Sequence, residues 1–123
     1  MANPNIVAVA NIYGKTVFDA DIATSASAIV TNAASSGKIL KINSLIIANI
    51  DGSSAADITA TIKNAAGNSV SSTIANTVTV PADATLVLIS KDTSIYLEED
   101  MSIHLAASAA GDLSGTCSYE EIS

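Results

Sequence analysis

The chain has no tryptophan, arginine or glutamine, one cysteine, one histidine and four aromatic rings: Tyr13, Phe18, Tyr96 and Tyr119. Each shortage excludes something. A lone cysteine closes no internal disulfide, so the fold has to stand on packing. One cysteine and one histidine cannot supply the ligands of a structural zinc site. Most enzyme mechanisms draw on histidine, cysteine, arginine and clustered carboxylates, and this inventory starves them. A net charge of −7 without a single guanidinium repels phosphate, so neither nucleic acid nor an anionic membrane surface is an expected partner. The longest strongly apolar stretch, Leu45 to Ile50, is interrupted by Asn49. A bilayer span takes about 20 apolar residues, so no transmembrane helix is expected. No basic segment precedes an apolar run near residue 1, so no secretory leader is expected and synthesis is placed in the cytoplasm.

What is present is small and β-branched. Alanine, serine and threonine contribute 22, 17 and 11 residues of 123, side chains that let sheets approach closely but bury little area each. The hydrophobic work therefore falls on isoleucine, leucine and valine, at about 1.5–3 kcal/mol per fully buried side chain. With so few rings the core of one copy is expected to be thin, and self-association would relieve that. The charge is also unevenly placed. Residues 1–80 carry four acids and four lysines, and residues 81–123 carry eight acids against Lys91 alone.

The dominant pattern has period two. Ile58, Ala60 and Ile62 alternate with Thr59, Thr61 and Lys63; Met101, Ile103 and Leu105 alternate with Ser102, His104 and Ala106; Leu113, Gly115, Cys117 and Tyr119 alternate with Ser114, Thr116, Ser118 and Glu120. Such alternation sends one set inward and the other to solvent, as in half-buried strands. Turn chemistry punctuates it at Asp51-Gly52-Ser53-Ser54, Asn64-Ala65-Ala66-Gly67-Asn68, Pro81-Ala82-Asp83 and Ala110-Gly111-Asp112. Strand segments are read near 5–12, 15–22, 27–32, 38–50, 56–63, 69–80, 84–90, 94–97, 101–107 and 113–121, some of them merging into about eight or nine strands. Alanine is the best helix former, yet these alanines rarely recur at helical spacing with larger apolar residues. The reading is all-β: one antiparallel β-sandwich domain over residues 1–123, of jelly-roll or immunoglobulin-like type, which share this strand spacing.

Candidate sites are few. His104 falls on the outward side of its strand and reads as a solvent-facing or interface histidine, with no nucleophile or acid placed beside it by the sequence. Cys117 shares its face with Leu113 and Tyr119 and reads as a small buried hydrophobe. Asp51 to Asp57 has calcium-type ligands but neither the EF-hand spacing nor its closing glutamate, and Glu98-Glu99-Asp100 reads as a solvated turn that deters edge pairing. No catalytic, cofactor-binding or metal-binding residue is assigned, and no cofactor is implied.

Three stretches of the first half carry a family likeness: Asn11-Ile12-Tyr13-Gly14-Lys15-Thr16, Ile47-Ala48-Asn49-Ile50-Asp51-Gly52 and Ala55-Ala56-Asp57-Ile58-Thr59. The second half adds Val80-Pro81-Ala82-Asp83-Ala84-Thr85-Leu86-Val87, Lys91-Asp92-Thr93-Ser94-Ile95-Tyr96-Leu97-Glu98-Glu99 and Cys117-Ser118-Tyr119-Glu120-Glu121-Ile122-Ser123. On these residues the chain resembles small virion proteins of tailed phages, especially marine phages of cyanobacteria, over residues 5–62 and 78–123. Where that pattern reads Glu-Glu-Gly-Asp, this chain has Glu98-Glu99-Asp100 without the glycine, and Lys63 to Thr77 is blander than the pattern. The resemblance implies a non-enzymatic structural part present in many copies on the outer surface of a phage particle. The favoured role is capsid decoration, cementing the head shell against the major capsid protein as a homo-oligomer, with a trimer the expected state. A tail, neck or fibre component is the second implication. A carbohydrate-binding module, resting on Tyr96 or Tyr13, is the alternative of another class.

Overall fold

The structure, a computed structural model, describes residues 3–64 and 71–123. Among them are nine strands: β1 (Ile12–Asp19), β2 (Ser27–Thr31), β3 (Ile39–Asn49), β4 (Ala56–Asn64), β5 (Ser71–Val80), β6 (Thr85–Ile89), β7 (Ile95–Leu97), β8 (Met101–Ala107) and β9 (Leu113–Ile122). One 3-10 turn, Lys91–Thr93, separates β6 from β7. No α-helix occurs among the described residues, so none there is long and apolar enough to cross a membrane.

Two antiparallel sheets pack face to face. Sheet A runs β1-β9-β3-β6, with β7 also pairing β3; sheet B runs β2-β8-β4-β5. β6 and β7 lie along the same side of β3, at Leu45–Ala48 and Leu40–Ile42 respectively, and act as one interrupted strand. Counted that way, every connection except β4–β5 crosses between the sheets. This decides between the two sandwiches left open by strand spacing. Immunoglobulin domains pair consecutive strands within a sheet, whereas this order is that of a jelly roll.

The inner faces carry the aliphatic core. Ile42, Leu45 and Ile47 of β3, Ile58 and Ala60 of β4, Ile103 and Leu105 of β8, and Leu113 and Cys117 of β9 are all essentially inaccessible. They occupy alternate positions, as the period-two pattern requires, except where the β3 irregularity between Ile42 and Ser44 puts three steps between Ile42 and Leu45. Gly115 also faces inward, and a Cβ there would sit 3.1 Å from Leu105 Cδ1 and 3.3 Å from Ile22 Cδ1. The backbone of β9 thus approaches the opposite sheet at the one inward position without a side chain.

The N-terminal region departs from the expected pattern. Segments 5–12 and 15–22 are not two strands; a single strand, Ile12–Asp19, straddles them. Asn5 opens a local turn instead, its Oδ1 accepting from Val7 N at 3.0 Å and its carbonyl from Ala8 N at 3.0 Å. An asparagine side chain bonding to the backbone two residues on competes with strand pairing in this way. Gly14, which falls between the two expected segments, sits in mid-strand. Elsewhere the boundaries agree to within one or two residues. The strand start at 69 and the turn beyond Asn64 lie outside the described residues.

Turns take unusual backbone angles where the sequence lacks glycine. Asp100 has φ +69°, closing the Glu98–Met101 turn in which Met101 N donates to the Glu98 carbonyl at 3.1 Å. An aspartate takes the left-handed conformation here, which it tolerates better than most residues. Asp83 does the same after Pro81, with φ +59°.

Two buried asparagines fasten loops to the sandwich. The Asn49 amide donates to the carbonyls of Ser54 and Val80, both at 2.9 Å, and its Oδ1 accepts from Asp51 N at 2.9 Å. Asn32 repeats the arrangement, donating to Lys38 and Leu97 carbonyls at 2.9 and 3.0 Å and accepting from Ser36 Oγ at 2.6 Å. Buried amides are tolerated because each of these polar atoms is satisfied.

Candidate interaction surface

The outer face of sheet A carries the main exposed apolar feature of the strands. The register places Phe18 of β1 beside Thr116 of β9, Thr116 beside Ile46 of β3, and Ile46 beside Val87 of β6. Val17, Leu45 and Ile47 point into the core, so their neighbours Phe18 and Ile46 point out. Phe18 is 75% exposed and Val87 56%, with Ile46 half-buried between them. At strand spacings of about 4.8 Å the row spans roughly 15 Å, the full width of the sheet. Small uncharged residues flank it, all but one of them Ser or Thr: Thr16, Ser118 and Ser44 on one side, Ser114, Ala48 and Thr85 on the other. An apolar band rimmed by neutral polar groups is the anatomy of a protein-docking patch.

Toward the end of the same face the N-terminal segment folds over β9 and β3, its Ala10 and Asn11 amides both donating to the Ser123 carbonyl at 2.8 and 2.9 Å. An open groove of about 310 Å³ lies beside it, lined by Asn3, Pro4, Ile6, Ile39, Tyr96 and Glu98. Asn3 Nδ2 donates to Glu98 Oε1 across it at 2.6 Å. Tyr13 lies on the opposite face of sheet A, beside Glu121, so the two tyrosines do not form one platform.

Glu121 is held between two ammonium groups, Lys15 Nζ at 3.1 Å and Lys38 Nζ at 3.0 Å. Hydrogen bonds from Lys38 and Lys15 keep its carboxyl below the usual glutamate range, and the bond to Glu121 raises the Lys15 ammonium. The cluster ties β1 and the start of β3 to the end of β9.

His104 lies half-buried on the outer face of sheet B, between Ala28 of β2 and Thr61 of β4. Ser102 Oγ is 3.3 Å from its Nδ1. Burial, and then the nearby Lys63 ammonium, lower its pKa and make it a weaker base than a free imidazole. Cys117 is fully buried, and burial pushes its thiol up to about 11.

In the oxygen-rich stretch Glu98-Glu99-Asp100, Glu99 is buried and not solvated as its sequence suggests, and the carboxylates of the stretch 51–57 turn to different partners. Asp51 Oδ1 accepts from the amides of Ser53 and Ser54 at 2.8 and 3.3 Å, while Asp57 Oδ1 accepts from Thr79 Oγ1 at 2.7 Å on another strand. Among the described residues no three His, Cys, Asp or Glu side chains group as a metal site would need. Sequence reading missed a carboxyl pair assembled from distant residues. Burial and the Asp51 carboxylate raise the Asp112 carboxyl, with Asp21 adding to the effect, whereas hydrogen bonds from Ser53 lower Asp51.

Comparison with protein-family models, with curated proteins and with solved structures yields no match to this chain.

Proposed function

We propose that the protein is a non-enzymatic structural component of a tailed-phage virion, a decoration protein that docks on the outer head shell through the outer face of sheet A. The observation carrying this reading is the uncharged apolar row Phe18, Ile46 and Val87 on a chain of charge −7. Jelly rolls recur in viral capsid and lectin domains. That likeness is one of fold, so the argument for function rests on the surface and on the sequence resemblance. The acidic balance suits an outward location away from packaged DNA, and a neutral docking face avoids carrying that charge into the contact.

The row is small. A stable pairwise interface buries upwards of about 1,000 Å², more than three side chains provide, so attachment depends on repeated copies and on what surrounds the row. A tail, neck or fibre component is the runner-up and would use the same face. A glycan-binding role is favoured only by the groove beside Tyr96, where the Asn3 and Glu98 groups already bond to each other.

The test is co-sedimentation of purified protein with empty head shells. Wild type binds saturably. At their present exposures, Phe18 and Val87 together contribute about 2–4 kcal/mol of burial, so Phe18→Ser with Val87→Ser weakens binding roughly 30- to 700-fold. His104→Ala, on the opposite sheet, leaves it unchanged. Absence of saturable binding, or equal binding by the double variant, overturns the proposal.

A further inference from the structure

Sheet edges expose unpaired backbone groups, and natural folds blunt them with bulges, short strands or interruptions. Three of the four edges here are blunted. β2 has five residues and a register shift between Ala28 and Val30. β5 meets β4 with two shifts and a left-handed Thr77 at φ +47°. The edge formed by β6 and β7 is broken by the 3-10 turn and a shift at Leu45/Ile46. β1 is different. All eight of its residues pair with β9 in unbroken register, it has no proline, and Ile12, Tyr13 and Phe18 on it are 53%, 55% and 75% exposed.

The hydrogen-bond phase of that edge is fixed. Asn11 and Ser123 exchange both backbone bonds at 2.9 Å. In an antiparallel ladder such pairs alternate, so Tyr13, Lys15, Val17 and Asp19 bond to β9, whereas Ile12, Gly14, Thr16 and Phe18 direct their N–H and C=O groups away from the sheet. A strand added at this edge must meet those four residues.

We propose that the occupant is a second copy of this chain, its β1 paired antiparallel about a two-fold axis at Val17. The register follows from charge. Lys15 and Asp19 are the only charged residues of β1, and centring on Val17 sets Lys15 of each copy directly opposite Asp19 of the other. It also sets Thr16 opposite Phe18, and these are the residues whose backbone groups point outward. The pairing is therefore self-complementary in both charge and hydrogen bonds. Non-bonded pairs bring side chains closest, and the two Lys–Asp contacts and Val17 against Val17 fall at such positions. Two Phe18 rings lie on one diagonal of the outer face, about 7–8 Å apart, within aromatic reach. An isologous contact of this kind closes at two copies. The dimer joins the two copies of sheet A edge to edge and places their apolar rows side by side. That enlarges the docking patch of the proposed function, although the pairing itself does not rest on the virion reading.

The experiment is sedimentation velocity at physiological salt up to about 1 mM protein, with wild type, Asp19→Lys and Lys15→Asp, each checked for its fold by circular dichroism. Wild type is a dimer. Each single reversal places like charges opposite one another at two positions and gives monomer, and an equimolar mixture of the two variants restores a dimer. Amide exchange gives the register: Thr16 and Phe18 amides are slow in wild type and at least tenfold faster in Asp19→Lys, while Val17 is slow in both. A wild type that stays monomeric, or variants that both remain dimeric, or a mixture that fails to re-associate, overturns the inference. A trimer, or a dimer whose Thr16 and Phe18 amides exchange freely, assigns association to another surface and overturns it equally.

Discussion

Replacing Asn49 with alanine tests how the two sheets are fastened at one end. Its side chain makes three hydrogen bonds, to the Ser54 and Val80 carbonyls and from the Asp51 amide. The Val80 bond joins the last residue of β3 in sheet A to the last residue of β5 in sheet B. Each neutral bond contributes about 1 kcal/mol net, and acceptors left buried without a partner cost more. Asn49→Ala should therefore lose about 3 kcal/mol. Unfolding entropy near 2.1 cal/mol/K per residue gives roughly 0.26 kcal/mol/K for a chain of this length, so Tm should fall by about 12 °C. Thermal and urea unfolding followed by circular dichroism measures both quantities. Asn11→Ala is the control: that side chain is exposed, and surface changes of this kind stay within about 0.5 kcal/mol. A loss below about 1 kcal/mol for Asn49→Ala would refute the assignment of these bonds as a structural tie.

Asp112→Asn should raise Tm at neutral pH. Burial and the neighbouring Asp51 carboxylate raise the folded pKa of Asp112, so its contribution is fully favourable below the ordinary 3.8 and is lost as pH climbs through the raised value. The gain should vanish near about pH 3, and an equal gain at both pH values would contradict the carboxylate explanation. Glu121 has the opposite sign: two lysines lower its folded pKa, so its stabilisation is present above the ordinary 4.5 and fades as pH falls through the lowered value. Glu121→Gln should flatten the acid limb of the stability curve, and an unchanged limb would exclude the Lys15–Glu121–Lys38 cluster as its source. Cys117, buried and with its thiol pushed up to about 11, should resist a disulfide reagent at about pH 8 until the chain unfolds; rapid labelling of folded protein would show that β9 opens. Gly115→Ala brings a methyl group within 3.1 Å of Leu105 Cδ1 and should cost about 1–3 kcal/mol. In a Leu105→Ala background that cost should shrink, and strict additivity would mean the two sites do not touch.

The sheet was legible where one face is fully buried. In β8, and in β9 as far as Tyr119, the inward positions belong to the core, so alternation marks both the strand and its orientation, and it placed Cys117 inward and His104 outward correctly. β1 was misread because an edge strand is wet on both faces: Tyr13, Lys15 and Phe18 impose no period, and Gly14 falls between the two expected segments. The choice of jelly roll over immunoglobulin order was not legible, because both sandwiches have the same strand spacing and differ only in which strands are neighbours. The same limit hid the surface features. Phe18, Ile46 and Val87 are far apart along the chain and become a row only through the β1–β9–β3–β6 register. Asp112 and Asp51 likewise meet only because the β3–β4 and β8–β9 turns share one end of the sandwich, where Ile50 N donates to the Asp112 carbonyl at 2.7 Å. Asn49 was read only as the break in the apolar run Leu45–Ile50, and its burial as a bonded amide was not foreseen.

The proposed role makes this sandwich a decoration of the outer head shell. Its copy number in purified particles, measured by quantitative gel or mass spectrometry against the major capsid protein, tests it most directly. Decoration of a closed shell predicts copies on the order of hundreds per particle. A count from about three to a few dozen, as rings of low cyclic symmetry would give, or none at all, would contradict it.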